Sequence, residues 1–142
     1  MVQDPKTCDS SELKTAATER GRILVVDDDE AICSLLADIL KRSAFNVFTA
    51  GDAEVAWQRM SSGDIDLVIS DVRMPGKSGT ELMGMINERY PFVPVILMTG
   101  MPDVEAAVEC MKSGAFDYLV KPIDIKKLRE RGTVKGIGME SP

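Results

Sequence analysis

The sequence predicts an α/β fold, a doubly wound sheet of five parallel strands with helices on both faces. Two observations predict it. The first is a set of short apolar runs, among them Ile23-Leu24-Val25-Val26, Leu67-Val68-Ile69-Ser70, Pro94-Val95-Ile96-Leu97-Met98 and Tyr118-Leu119-Val120. Runs of this length without polar alternation read as strands buried on both faces. The second is that segments of helical apolar period alternate strictly with those strands, as crossover connections between parallel strands require.

Taken in order, residues 1–20 are polar, rich in Lys, Glu and Thr, and read as a flexible leader or a frayed helix. The first strand is predicted over 22–26. A helix over 30–42 follows, with Ile32, Leu35, Leu36, Ile39 and Leu40 spaced for one face and Asp29 as its N-cap. A short strand is predicted over 45–49. Asp52 then caps a helix that carries Val55, Ala56 and Met60 and stops near Ser61-Ser62-Gly63. The third strand covers 67–70, and a helix over 79–89 turns Leu82, Met83 and Ile86 inward until Tyr90-Pro91 ends it.

The fourth strand is predicted over 95–98. The next helix starts at Pro102-Asp103, presents Val104, Ala107, Val108 and Met111 on one face, and ends at Gly114, placed as a C′ glycine. The fifth strand covers 117–120. A last helix begins near Asp124 with Ile125 and Leu128 inward. It is expected to stop near Arg131, because each of Gly132, Gly136 and Gly138 costs about 1 kcal/mol against Ala in a helix. The expected organisation is a leader over 1–20, one domain over 21–131 and a glycine-containing tail over 132–142.

Composition narrows the function. At 142 residues the chain is long enough for one self-sufficient core. No apolar stretch approaches the roughly 20 residues of a membrane helix, so no membrane association is expected. The net charge of −6 argues against direct nucleic-acid binding by this chain. Cys8, Cys33 and Cys110 are odd in number and unclustered, which fits reduced thiols in the cytoplasm. With no His in the chain, His-based metal sites, a Ser-His-Asp triad and an internal phosphohistidine relay are excluded.

The chemistry sits where the strands end. The first strand ends in Asp27-Asp28-Asp29, the third in Asp71, the fourth in Thr99-Gly100 and the fifth in Lys121-Pro122. In a parallel sheet these ends share the edge at which α/β proteins bind ligands. Converging carboxylates repel one another and raise at least one pKa unless a cation joins them. Mg²⁺ takes hard oxygen ligands of this kind. Asp71 then keeps an oxygen able to attack phosphorus, Lys121 supplies a cation for the transferring group, and Thr99 can donate to a phosphoryl oxygen. Taken singly these residues have plainer readings: the Asp run as a helix cap, Asp71 as a turn residue before Met74-Pro75, Lys121 as a surface lysine. Their joint placement on one edge favours the site. Trp57 reads as partly buried packing, and Met74, Met83, Met98 and Met111 as core filler.

The motifs Ile23-Leu24-Val25-Val26-Asp27-Asp28, Asp71-Val72-Arg73-Met74-Pro75-Gly76, Met98-Thr99-Gly100 and Gly114-Ala115-Phe116-Asp117-Tyr118-Leu119-Val120-Lys121-Pro122, in this order, resemble the receiver domain of bacterial two-component response regulators. The resemblance spans about Gly21 to Leu128, and its details are similar to receivers of enhancer-binding transcriptional activators. It implies a flavodoxin-like fold with Asp71 as phosphoacceptor. It implies Mg²⁺ bound by Asp28, Asp71 and the Arg73 backbone carbonyl, with Asp27 acting through water. Thr99 and Tyr118 would be the switch pair, Lys121 the phosphate-side cation, and Lys121–Pro122 a cis peptide.

The implied partners are a histidine kinase or phosphotransfer protein as donor, and a downstream output domain or protein, with transcription as the output. Such a module catalyses only its own phosphorylation and dephosphorylation. The competing reading is a Mg²⁺-dependent aspartyl-phosphate phosphatase or phosphotransferase acting on a small molecule. That chemistry needs an acid/base carboxylate two residues after the nucleophile, and Arg73 stands there.

Overall fold

The computed structural model describes residues 21–101 and 103–121. Its elements in chain order are β1 (Arg22–Val26), α1 (Glu30–Arg42), β2 (Asn46–Ala50), α2 (Ala53–Met60), β3 (Leu67–Asp71), α3 (Gly79–Arg89), β4 (Val95–Thr99), α4 (Val104–Lys112) and β5 (Asp117–Val120). The expected leader over 1–20, the helix from Asp124 to Arg131, the tail over 132–142 and the Lys121–Pro122 peptide lie outside the described residues.

All strand pairs are parallel, in the order β2-β1-β3-β4-β5. The chain winds outward from β1 in one direction and from β3 in the other, so the strand order reverses between those two. Crevices for ligands open at such a switch point, beyond the carboxyl ends of the strands. The fold class expected from the sequence is the one observed.

Successive side chains of a strand point to opposite faces, and both faces here are buried. On one, Ile23, Val25, Ile69, Ile96 and Met98 pack against Cys33, Leu36 and Leu40 of α1. On the other, Leu24, Val26, Val68 and Leu97 meet Ala56 and Met60 of α2, Leu82, Met83 and Ile86 of α3, and Cys110 of α4. Burying an aliphatic side chain of this size contributes about 1.5–3 kcal/mol. The strands that carry the acidic ends are therefore held rigidly from both sides.

The boundaries differ from expectation in small ways with identifiable causes. β2 starts at Asn46 because the Phe45 amide donates to the Leu40 carbonyl and belongs to the end of α1. β3 continues through Asp71, in register with Met98, and β4 through Thr99, in register with Val120. Two inward faces need correction. On α1 the buried positions are Cys33, Leu36, Ala37 and Leu40, leaving Leu35 56% exposed. Counting aliphatic residues alone displaced the predicted stripe. On α4 the buried residue is Cys110, while Val104, Val108 and Met111 are exposed, so Met111 is not core filler. Trp57 is half-buried as expected, edge-on to Tyr90.

After α1, Ala44 adopts φ 75°, the left-handed conformation that closes a helix. An alanine there carries about 1 kcal/mol or more of strain that glycine does not. Ala44→Gly is therefore expected to stabilise the protein by up to about 1 kcal/mol, the looser unfolded chain offsetting part of the gain. A urea titration with an unchanged slope and a raised midpoint checks it; a lowered midpoint contradicts it.

Candidate functional site

At the carboxyl end of β1 the chain leaves the sheet through Asp27 and Asp28. Asp27 is 1% exposed. Its backbone amide donates to the Ala50 carbonyl and its Oδ1 accepts from the Asp29 amide at 2.9 Å, so the side chain is fixed from below. Asp29 meanwhile caps α1, accepting from the amides of Ala31 and Ile32, as its place before an amphipathic stretch requires. Asp28 stays exposed between these two anchored neighbours.

On the adjacent strand Asp71 closes β3. The Val72 amide donates to the Met98 carbonyl, which holds the strand end against β4, and Asp71 Oδ1 lies 3.4 Å from the Arg73 amide. One carboxylate oxygen from each of Asp27, Asp28 and Asp71 lies within 4.8 Å of the others. The cluster spans the switch point and mixes two buried carboxylates with one open to solvent. An all-oxygen donor set of this size, accessible from one side, fits an Mg²⁺ ion that keeps several waters.

Lys121 reaches into the cluster from the end of β5. Its Nζ lies 2.8 Å from Asp27 Oδ2 and 3.2 Å from Asp71 Oδ2. The lysine bridges the two buried carboxylates and offsets their mutual repulsion. Burial, followed by the neighbouring Asp27 charge, raises the Asp71 pKa above the ordinary carboxylate range despite the opposing pull of Lys121. Burial alone would lower the Lys121 pKa, but the bonds and charges of Asp27 and Asp71 outweigh it and leave it raised. Behind the cluster, Cys33 Sγ lies 3.3 Å from the Asp27 carbonyl oxygen. Burial, then the Asp27 charge, pushes its thiol pKa up, so it is a poor nucleophile at neutral pH.

Thr99 ends β4 and is buried. Its hydroxyl accepts from the Met101 amide at 3.0 Å and lies 3.3 Å from the Met101 carbonyl. This local turn occupies the hydroxyl. Tyr118, on β5, is half-buried against the cluster that contains Leu97 and Cys110. Arg73 is exposed in the loop after β3. The structure thus brings Asp27, Asp28, Asp71 and Lys121 into one constellation, with Thr99 at the end of β4, Arg73 in the loop after β3 and Tyr118 in the sheet beside it.

Two residues at this edge escaped the sequence reading. Ser70, buried within β3, donates from Oγ to the Asp71 carbonyl at 3.0 Å. Gly79, the first residue of α3, lies against that same carbonyl. A signal for the second was available: Ser78 and Glu81 form a capping box that fixes the start of α3 at Gly79.

Comparison with known proteins places the chain in a family. The model of the response regulator receiver domain matches residues 23–132. The response regulator protein FleR of Pseudomonas aeruginosa is 43% identical over 108 residues, 76% of this chain and 23% of FleR. The DNA-binding transcriptional regulator NtrC of Escherichia coli is 40% identical over 107 residues, 75% of this chain and 23% of NtrC. This chain therefore spans about a quarter of the length of those curated relatives, which are named as regulators and not as enzymes. Among solved structures, the response regulator protein TrrA of Thermotoga maritima, in complex with Mg²⁺ and BeF, superposes with a TM-score of 0.72 at 35% identity, covering 82% of this chain and 98% of TrrA. The chain belongs to the response regulator receiver domains, modules of phosphorylation-dependent signalling.

Proposed function

We propose that Asp71 accepts a phosphoryl group, in the presence of Mg²⁺, from the phosphohistidine of a partner histidine kinase or phosphotransfer protein. The observation that carries this reading is the convergence of Asp27, Asp28 and Asp71 at the switch point with Lys121 bridging two of them. In the transfer an Asp71 oxygen forms the new P–O bond while the P–N bond to the donor imidazole breaks. Asp28, Asp71 and the Arg73 backbone carbonyl would hold Mg²⁺, with Asp27 reaching it through water. Bound there, the ion supplies positive charge to the phosphoryl oxygens as the transfer proceeds.

Lys121 supplies the second positive charge. It can turn from Asp71 toward a phosphoryl oxygen without leaving Asp27, the closer of its two partners. Thr99 and Tyr118 form the switch in this reading. A phosphoryl oxygen competes with Met101 for the Thr99 hydroxyl, and drawing that hydroxyl inward opens room for the half-buried Tyr118 ring. A new local charge then biases a two-state element. The receiver domain covers 21–131, between the leader over 1–20 and the tail over 132–142. It works in the cytoplasm on an output domain or protein that controls transcription, by analogy with FleR and NtrC.

The test uses acetyl phosphate as donor and intact mass as readout. A single added phosphoryl group is expected with Mg²⁺ and none with EDTA, because uncompensated carboxylates repel the incoming group. Asp28→Ala should weaken Mg²⁺ binding more than Asp27→Ala, raising half-saturating Mg²⁺ by roughly tenfold or more, since loss even of an outer-shell partner costs about that much. Labelling in EDTA, or equal Mg²⁺ dependence of both variants and the parent, would sink the assignment.

A further inference from the structure

We propose that Gly79 is a positioning residue for Asp71: the absence of a side chain lets the first turn of α3 lie across the Asp71 main-chain carbonyl, and this contact sets the direction of the Asp71 carboxylate. The inference rests on the reading of Asp71 as phosphoacceptor and adds a residue to that site.

A Cβ on Gly79 would stand 2.0 Å from the Asp71 carbonyl oxygen, 2.9 Å from its carbonyl carbon and 3.0 Å from Ser70 Oγ. The two closest atoms are backbone and cannot rotate away. Gly79 is not among the residues with positive φ, so the requirement is for space and not for a special conformation. The same junction is tied from every side. The Gly79 amide donates to the Val72 carbonyl and the Val72 amide to the Met98 carbonyl, both at 2.9 Å. Ser70 Oγ donates to the crowded Asp71 carbonyl itself. The Ser78–Glu81 capping box prevents the first turn of α3 from simply unwinding.

A methyl group at position 79 therefore has two outlets. It lifts α3 from the sheet, or it tilts the peptide that follows the Asp71 Cα. Either way the carboxylate is re-aimed relative to Asp27, Asp28 and Lys121. A displacement of about 1 Å at a reacting group is enough to cost up to about a hundredfold in rate. Gly84 on the same helix provides the contrast, since a Cβ there meets nothing within 4 Å.

The experiment measures the rate of acetyl phosphate labelling by intact mass across a range of Mg²⁺ concentrations, at a temperature where circular dichroism shows each variant folded. Gly79→Ala is expected to label roughly tenfold or more slowly, with half-saturating Mg²⁺ shifted upward. Gly84→Ala should label at the parent rate. Ser70→Ala adds no atom and withdraws only the hydroxyl from the Asp71 carbonyl, so a smaller loss of about two- to fivefold is expected. A merely structural role for Gly79 would lower the melting temperature and leave the Mg²⁺ dependence of the folded fraction unchanged.

Gly79→Ala labelling within twofold of the parent, at unchanged Mg²⁺ dependence, overturns the inference. If Gly79→Ala does not fold, Ser70→Ala decides: slowed labelling supports the inference, and parent-like rate and Mg²⁺ dependence overturn it. Failure of the unmodified protein to label would instead remove the phosphoacceptor reading, and the positioning role with it.

Discussion

Asp71→Asn is expected to abolish phosphoryl uptake completely while leaving the protein folded and, at neutral pH, at least as stable as the parent. The substitution keeps the size and planarity of the side chain, removes the nucleophilic oxygen, and deletes one of the two buried carboxylates that Lys121 bridges. The direction of the stability change follows from the raised pKa of Asp71, caused by burial and then by Asp27. A carboxyl group whose folded pKa lies above its unfolded value makes no difference below about pH 4, where both states are protonated. As pH rises past that point the unfolded state ionises first, and the native state loses stability until its own Asp71 ionises. The asparagine variant carries no such penalty. Thermal melts should thus show variant and parent alike near pH 3.5 and the variant equal or higher at pH 7. Intact mass after acetyl phosphate and Mg²⁺ should show no addition to the variant. Phosphate on the peptide that carries position 71 of the variant would remove Asp71 from its role.

Much of this site can be read from the sequence because fully buried parallel strands leave a clear trace. Their apolar runs are uninterrupted, so the residue at which each run stops is conspicuous, and strict helix–strand alternation puts all those stops on one edge. Asp27, Asp71, Thr99 and Lys121 were legible for that reason. What was not legible depends on contacts between distant segments. The packed side of α4 is set by Cys110, a type that aliphatic counting overlooks, and Leu35 gave way on α1 to Cys33 and Ala37. The engagement of the Thr99 hydroxyl with Met101 is a turn detail that no periodicity encodes. Ser70 looked like a polar end to an apolar run, and Gly79 like a helix start. Only the crossing of α3 over the end of β3 gives both a part in the site. The role of Lys121 also gains a component. Resemblance made it a cation for phosphate, and the structure shows it neutralising Asp27 and Asp71 as well.

That second role predicts that Lys121→Ala costs stability as well as activity. Asp27 is 1% exposed and Asp71 8% exposed, so removing the ammonium leaves two nearly buried carboxylates facing each other with no counter-charge. Breaking a buried pair in this way costs about 3–5 kcal/mol. The Lys121 side chain keeps 17% of its exposure, and water can enter the space it vacates, so about 2–3 kcal/mol is expected here. The pH dependence identifies the cause. The raised Lys121 pKa means that its contribution is fully present below its ordinary value and is lost only as pH climbs through the raised one. The deficit of the variant should therefore be largest near neutrality, shrink at strongly alkaline pH as the parent loses its ammonium, and shrink in acid as Asp71, with its raised pKa, takes up a proton. Asp71→Asn supplies an internal check. In the double variant Lys121→Ala/Asp71→Asn the buried Asp27 no longer faces a second buried carboxylate, and part of the lost stability should return, a non-additivity of about 1 kcal/mol or more. Urea midpoints of the four proteins at pH 7 close the cycle. Strict additivity would show that Lys121 acts on phosphate alone and does not hold the two carboxylates together.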